Sequence, residues 1–201
     1  MSSVTITINE RFLFDRRDPD TFLGKGGMGS VFKGLDLRTQ EPVAIKVLRS
    51  DLTRQEPDML TRFQQEGEAL RQLNHPNIVK MLGSAEHDGE HFLVMEYVSG
   101  GSLRDVLREE RQFSLQRALY VALDLADALT RAHRLKILHR DIKPDNVMLA
   151  EDGTPRLTDF GMARFSGEPH LTEDGAIVGT LAYLGPEAFM DEEPDERTDI
   201  W

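Results

Sequence analysis

The stretch Ile137 to Leu149, ILHRDIKPDNVML, constrains the fold of this 201-residue chain more than any other part of it. Asp141, Lys143 and Asn146 are too polar for a buried strand and stand too close to Pro144 for a regular helix. Ile137-Leu138 before them and Val147-Met148-Leu149 after them read as short buried strands. The three polar groups are therefore expected on a loop pinned at both ends by rigid elements, the usual mounting for chemistry. A polar turn with no chemical task is the bland alternative, and the remaining residues decide between them.

Composition narrows the class. The 24 Lys+Arg stand against 35 Asp+Glu, a formal net charge of -11. That balance argues against broad phosphate-backbone binding to nucleic acid and against adhesion to an anionic membrane. Cysteine is absent, which excludes disulfides and thiolate metal sites and fits a cytoplasmic protein. No apolar run approaches the roughly 18 residues of a membrane span, and the N-terminus lacks the order of a signal peptide. Neither internal repeats nor low-complexity tracts occur.

Residues 1–10 form a leader in which Val4, Ile6 and Ile8 alternate with polar residues, as in an edge strand. A short strand over Arg11 to Phe14 and a charged loop over Asp15 to Asp20 follow. Next comes Leu23-Gly24-Lys25-Gly26-Gly27-Met28-Gly29-Ser30-Val31. A lone G-x-G-x-x-G is weak, since unrelated nucleotide-binding folds use it. A Rossmann glycine loop opens a helix, whereas here Ser30 to Gly34 and Pro42 to Leu48 read as two strands around a turn at Arg38-Thr39-Gln40. The glycines thus sit in the tip of a hairpin that can fold over phosphates and offer backbone N–H groups. Lys46, inside the apolar strand V-A-I-K-V-L, must snorkel to solvent or meet an anion. Glu66 is the candidate partner, on the Phe63/Leu70/Leu73 face of a helix expected over Met59 to Leu73. A strand starting over Ile78 to Leu82 leads into a second hairpin, turning at Asp88-Gly89, whose strand Phe92 to Val98 runs into the flexible Ser99-Gly100-Gly101-Ser102. There the hydrophobic period changes from 2 to 3.6, which marks a lobe boundary at residue 98 and, beside it, a small-molecule crevice.

Beyond the boundary, Ser102 caps a helix over Leu103 to Glu109. Ser114 caps a longer one with Leu115, Ala118, Leu119, Ala122, Ala126 and Leu129 at helical spacing. Strands over Asn146 to Ala150 and Arg156 to Thr158 flank a hairpin turn and lead to Asp159-Phe160-Gly161, where the aspartate is placed to hold a cation. From there to Pro186-Glu187 the chain is loop-like, and a loop of that length is functional or disordered.

In order and spacing these residues resemble the protein-kinase family from about Arg11 to Trp201. Gly24, Gly26, Gly29 and Val31 match its glycine loop, Val43-Ala44-Ile45-Lys46 its strand lysine and Glu66 its helix glutamate. His139-Arg140-Asp141 with Lys143 and Asn146 match the catalytic loop, and Asp159-Phe160-Gly161 the metal motif. The resemblance implies an α+β, bilobal kinase-like fold. An antiparallel N-lobe with one main helix spans 11–98, and a mostly helical, incomplete C-lobe spans 99–201. It implies ATP with Mg2+, or Mn2+ in its place, as cofactors and proteins with Ser/Thr acceptors as substrates; dimerisation for trans-autophosphorylation is admitted. Asp141 would orient the acceptor hydroxyl and accept its proton, with Lys143, Lys46 and Glu66 as the other catalytic residues. Asn146 and Asp159 would hold metal. ATP would meet Leu23, Gly24, Lys25, Gly26, Gly27, Met28, Gly29, Val31, Ala44, Lys46, Met95, Glu96, Val98 and Met148, with Met95 as gatekeeper. Leu70, Met81, His139 and Phe160 resemble the family's regulatory spine. Lys143 after Asp141, and Gly179-Thr180 before Tyr183, resemble the Ser/Thr branch, and the GGMG, HPNIV and IKPDN wording resembles bacterial members. Thr172 is the first candidate for activating phosphorylation beside Arg140, ahead of Ser166 and Thr180, with Asp174 as a standing substitute for a second phosphate.

Two departures matter. Gly185-Pro186-Glu187 replaces the family's Ala-Pro-Glu, which should loosen the peptide-docking segment slightly. Asp199-Ile200-Trp201 resembles the opening of a supporting helix. On this reading neither the brace of Asp199 on the His139-Arg140 backbone nor an arginine for Glu187 is completed within these residues. The isolated chain is accordingly expected to be marginally stable and weakly active or inactive, with uncovered apolar faces on the Leu115 to Ala132 helix. A pseudokinase or scaffold is the alternative function, and a small-molecule phosphotransferase a further one.

Overall fold

The alternation of apolar and polar residues through the first 96 positions yields a seven-stranded antiparallel sheet in the computed structural model, which describes residues 5–26, 29–48, 71–160, 183–189 and 193–201. Its strands are β1 (Thr5–Ile8), β2 (Phe12–Asp15), β3 (Phe22–Gly26), β4 (Gly29–Asp36), β5 (Glu41–Leu48), β6 (Met81–His87) and β7 (Glu90–Glu96). The order is β1-β2-β4-β5-β7-β6, with β3 also on β4. β2 and β3 thus share one edge of β4, interrupted by a 3-10 turn at Pro19–Thr21 that Asp18 caps by accepting from the Asp20 N–H. The sheet curls: Arg16, just past β2, forms a bidentate pair with Glu90 at the start of β7, at 2.7 and 3.1 Å, although β4 and β5 separate these strands in the hydrogen-bonding order.

Register sorts the side chains. Residues opposite each other in an antiparallel pair share a face, and neighbours along a strand take opposite faces. Phe32 faces Ile45, which faces Val94; with Val43, Val47 and Phe92 they form the core, completed by Ile8, Phe12 and Phe14. Phe14 packs against Phe32 and, edge on, against Phe92, with ring centroids 5.5 and 6.1 Å apart. The leader therefore contributes to the core through a strand of its own, with Ile8 fully buried. Arg11 ties this hairpin to β4, donating from Nε and Nη2 to the buried Asp36 at 2.6–3.0 Å. That hydrogen bonding holds the Asp36 carboxyl below the usual carboxylate range against the opposing cost of burial. The other face of β4, β5 and β7 receives Val31, Ala44, Lys46, Leu93 and Met95.

The residues divide into two units, Met1–Gln72 with Lys80–Tyr97 and Leu73–Val79 with Val98–Trp201. Among the described residues the second unit contains α1 (Leu103–Glu110), α2 (Leu115–Arg134) and the hairpin β8 (Val147–Leu149) and β9 (Pro155–Leu157). Ser102 and Asp105 form a reciprocal capping box on α1, and Ser114 accepts from the Arg117 N–H to cap α2. The segment before β6 belongs to this unit. Asn77 accepts from the Leu157 N–H at 2.8 Å and donates to the Pro155 carbonyl at 2.9 Å, laying Ile78 beside β9. Ile78 is thus a bridge to Leu157, and the strand expected from that residue begins instead at Met81.

Two further expectations are corrected. Ile137 and Leu138 are irregular backbone, because the Ile137 N–H closes onto the Ala132 carbonyl at the end of α2 instead of a strand partner. On α2 the buried residues are Val121, Ala128, Leu129 and Ala132, so only Leu129 of the expected stripe is inside. Leu115, Leu119, Tyr120 and Leu123 are exposed. The predicted helix over 59–73, with Phe63 and Glu66, lies almost wholly outside the described residues.

Candidate active site

In the second unit the loop between α2 and β8 has no ladder hydrogen bonds, and side chains hold it instead. Asn146, buried in a 3-10 turn at Pro144–Asn146, donates from Nδ2 to the Asp141 carbonyl at 2.8 Å and to Asp141 Oδ2 at 2.9 Å. Lys143 Nζ donates to the same Oδ2 at 2.6 Å. Asp141 is thereby fixed in direction, with its carboxylate oxygen shared between the Lys143 ammonium and the Asn146 amide. Its N–H donates to His139 Nδ1 at 3.3 Å, and His139 Nε2 meets the Thr158 carbonyl at 2.8 Å. These partners select the tautomer with the proton on Nε2. Burial pushes the His139 pKa down, so the ring is neutral near pH 7; Asp199 and the Thr158 carbonyl oppose the shift. The ring also packs on Phe160 with centroids 4.6 Å apart.

Beneath the loop stands Asp199, at the end of a 3-10 turn over Glu196–Asp199 that Asp195 caps through the Arg197 N–H. Its carboxylate accepts from the His139 N–H at 2.8 Å, from the Arg140 N–H at 2.6 Å and from His133 Nε2 at 2.7 Å. The expectation that this brace is left incomplete is wrong: a turn of 3-10 helix suffices to place the carboxylate. The bond to Arg140 matters because that residue has a φ of 67°, a left-handed backbone that a non-glycine residue keeps only when its surroundings hold it there. His133 was not foreseen; its signal is a histidine in the last turn of a helix that feeds the loop. Glu187 Oε1 is buried with no hydrogen-bond partner among the described residues. Gly185 is buried too, and the space a Cβ would need is taken by the Glu187 carboxyl, so its absence lets Glu187 fold back.

Asn146 immediately precedes β8 and Asp159 lies two residues past β9, and the Thr158 N–H joins the two segments on the Asn146 carbonyl at 3.0 Å. Asp159 has a φ of 63°. Because the Asn146 amide nitrogen is occupied by Asp141, its oxygen is the atom left to coordinate. An amide oxygen with a carboxylate is a hard donor set that suits Mg2+, not a thiophilic metal.

In the first unit, Lys46 is 5 % exposed and shares its face with Val31, Ala44, Leu93 and Met95. The glycine stretch is the tip of the hairpin of β3 and β4, closing at Gly26 opposite Gly29, and opens no helix. Its glycines differ in kind. A Cβ on Gly29 would strike the Val47 carbonyl, so packing alone demands glycine there. At Gly24 and Gly26 a Cβ would meet nothing within 4 Å among the described residues. Leu23 and Lys25 are exposed. The Glu96 N–H donates to the Lys80 carbonyl at 3.0 Å, and its carboxylate accepts the Lys80 N–H at 2.7 Å. In the second unit Val98 is buried and Met148, half-buried, bridges Ser102. Glu66, Gly27, Met28, Leu70, Gly161, Ser166, Thr172, Asp174, Gly179 and Thr180 lie outside the described residues.

A family model described as the protein kinase domain matches residues 18–201. The chain belongs to the protein kinase family. It is 37 % identical over 195 residues to the serine/threonine-protein kinase PknB of Mycolicibacterium smegmatis, an alignment covering 94 % of this chain and 31 % of that one. With the serine/threonine-protein kinase PknL of Mycobacterium tuberculosis it shares 38 % identity over 180 residues, covering 89 % of this chain and 45 % of the relative. It thus spans less than half the length of these kinases. Family members act with ATP and a divalent metal. No helix among the described residues is long and apolar enough to cross a membrane.

Proposed function

We propose that this chain is the ATP-using part of a serine/threonine protein kinase, which transfers the γ-phosphoryl group to Ser or Thr hydroxyls of proteins. One observation carries the reading: the Asp141 carboxylate is held by Lys143 and by an Asn146 whose amide oxygen stays available for a metal. Asp141 orients the acceptor hydroxyl and takes its proton as the oxygen attacks phosphorus. Lys143 offsets the charge that gathers on the transferring group. Asn146 and Asp159 would hold Mg2+, or Mn2+ in its place, which when bound neutralises phosphate oxygens.

Lys46 binds the α- and β-phosphates and Glu66 positions it. Open space at Gly24 and Gly26 supports a ligand there, since no atom of the described residues requires glycine at either position. Their N–H groups, with those of Leu23, Lys25, Gly27, Met28 and Gly29, would cover the phosphates. Val31, Ala44, Met95, Glu96, Val98 and Met148 receive the adenosine. Autophosphorylation at Thr172, in trans between two copies, and a cytoplasmic location complete the proposal.

The test is phosphate transfer from ATP/Mg2+ by the full-length parent, with Asp141→Asn and Lys46→Met as controls. Transfer to Ser/Thr acceptors is expected from the wild type and from neither variant. Incorporation that survives both substitutions would overturn the reading.

A further inference from the structure

Arg104 is the second residue of α1, at a helix N-terminus, where the dipole disfavours a cation. Its partner lies elsewhere. Nε donates to Asp145 Oδ1 at 2.6 Å. Asp145 immediately precedes Asn146, whose amide holds Asp141. Its carboxylate, 42 % exposed, stands at the surface of that rigid turn. Left alone it would be an open anion beside the base, on a chain whose 35 acidic residues already outnumber its 24 basic ones.

We propose that Arg104 is a specificity-determining residue: by occupying Asp145 it keeps the surface beside Asp141 from selecting acceptor peptides with a basic residue near the acceptor hydroxyl. The proposal rests on Asp141 being the base of peptide phosphorylation. Arginine suits the task because its planar guanidinium matches the geometry of a carboxylate, which a lysine point charge does not. A peptide cation that reached Asp145 would have to displace an arginine already paired there.

Two labelled acceptor peptides, identical except for alanine or arginine residues flanking the serine, are titrated by fluorescence anisotropy, and their phosphorylation is followed in parallel. The proteins are wild type, R104A, D145N and R104A/D145N, all as the full-length parent. In R104A the affinity ratio of basic to neutral peptide should rise about threefold to fivefold, the scale of one exposed charge pair. The double variant should return to the wild-type ratio, and R104A should melt at the wild-type temperature. An unchanged ratio in R104A overturns the proposal, as does a shift that persists in the double variant. An equal loss of affinity for both peptides marks Arg104 as structural only and also overturns it, and so does failure of the basic peptide to bind any variant. Because the ratio is read from binding, a wild type that binds both peptides yet transfers no phosphate breaks the kinase reading without deciding the ratio.

Discussion

The strand that carries Lys46 and the loop that carries Asp141 hold their polar groups by opposite means. Lys46 is aimed by its neighbours: Ile45 and Val47 are buried in the sheet core, so the pleat turns Lys46 to the other face. Asp141 has no ladder to aim it. Its direction comes from Asn146, Lys143 and His139, and the backbone under it from Asp199. Apolar burial is spread over many contacts and tolerates small errors in each. A polar scaffold concentrates the same task in a few atoms, so one lost acceptor is felt at once. Damage to the sheet should therefore appear first as lost stability, and damage to the loop as lost rate.

Asp141→Asn breaks the comparison at its strongest point. The amide keeps the shape but removes the carboxylate that Lys143 faces and with it the proposed base. Phosphate transfer should fall by about 10²- to 10⁴-fold, while the thermal midpoint stays near that of the wild type. Steady-state kinetics beside thermal denaturation checks both halves; a large fall in the midpoint would mean that the loop also carries the fold.

Phe92→Ala is the counterpart in the sheet. Phe92 is fully buried against Phe14, and removing it should cost about 4 kcal/mol, a large share of the roughly 5–15 kcal/mol of a typical domain. Urea unfolding measures this. Turnover per folded molecule should change far less than it does in Asp141→Asn. If the two variants lost rate alike, the sheet would be shaping the loop directly, and the division between the two means of support would fail.

Asp199→Ala lies between these extremes. It leaves the His139 and Arg140 N–H groups without their acceptor in a place where the Asp199 side chain is wholly buried. At about 1–3 kcal/mol for each buried donor left unsatisfied, a loss of about 3 kcal/mol is expected. Rate should fall with stability, since the left-handed Arg140 backbone loses the bond that fixes it. A melting shift with full turnover in the folded protein would show that Asp199 supports the fold alone.

How much of this was legible in the sequence follows from the same contrast. The loop chemistry could be read because it depends on residue type at short spacing: Asp141, Lys143 and Asn146 meet within six residues, and the Ser102 and Ser114 caps act within three. The glycine hairpin was readable because no helix pattern followed it. The buried face of α2 was not, because LQRALYVALDLADAL carries two apolar stripes, and only the packing partner chooses between them. The Asp199 brace, which joins residues 60 apart, was named only through the family resemblance and was expected to be incomplete; the Arg104–Asp145 pair, 41 apart, was not read at all. Spacing cannot report a contact that the fold makes between distant turns.

The smallest expected effect is on pH dependence, and it tests whether the polar scaffold titrates as a unit. Burial holds the folded pKa of His139 below its ordinary 6.5. As pH falls through 6.5 the unfolded chain takes up this proton before the folded one does, so the unfolded state binds more protons and stability declines with falling pH. Above about 6.5 the contribution is full and flat. His139→Gln keeps an amide near the Thr158 carbonyl and the Asp141 N–H but cannot titrate, so it should be less stable at pH 7.5 and lose less on acidification. The slopes should differ by at most about 1.4 kcal/mol per pH unit, the limit for one proton. The other histidines are common to both proteins and cancel in the difference. Denaturant unfolding at intervals from pH 7.5 to 5 reads that difference directly. Parallel curves would mean that His139 takes up its proton in the folded state with Asp199 as its counter-ion, and that the loop is held by charge where the sheet is held by exclusion of water.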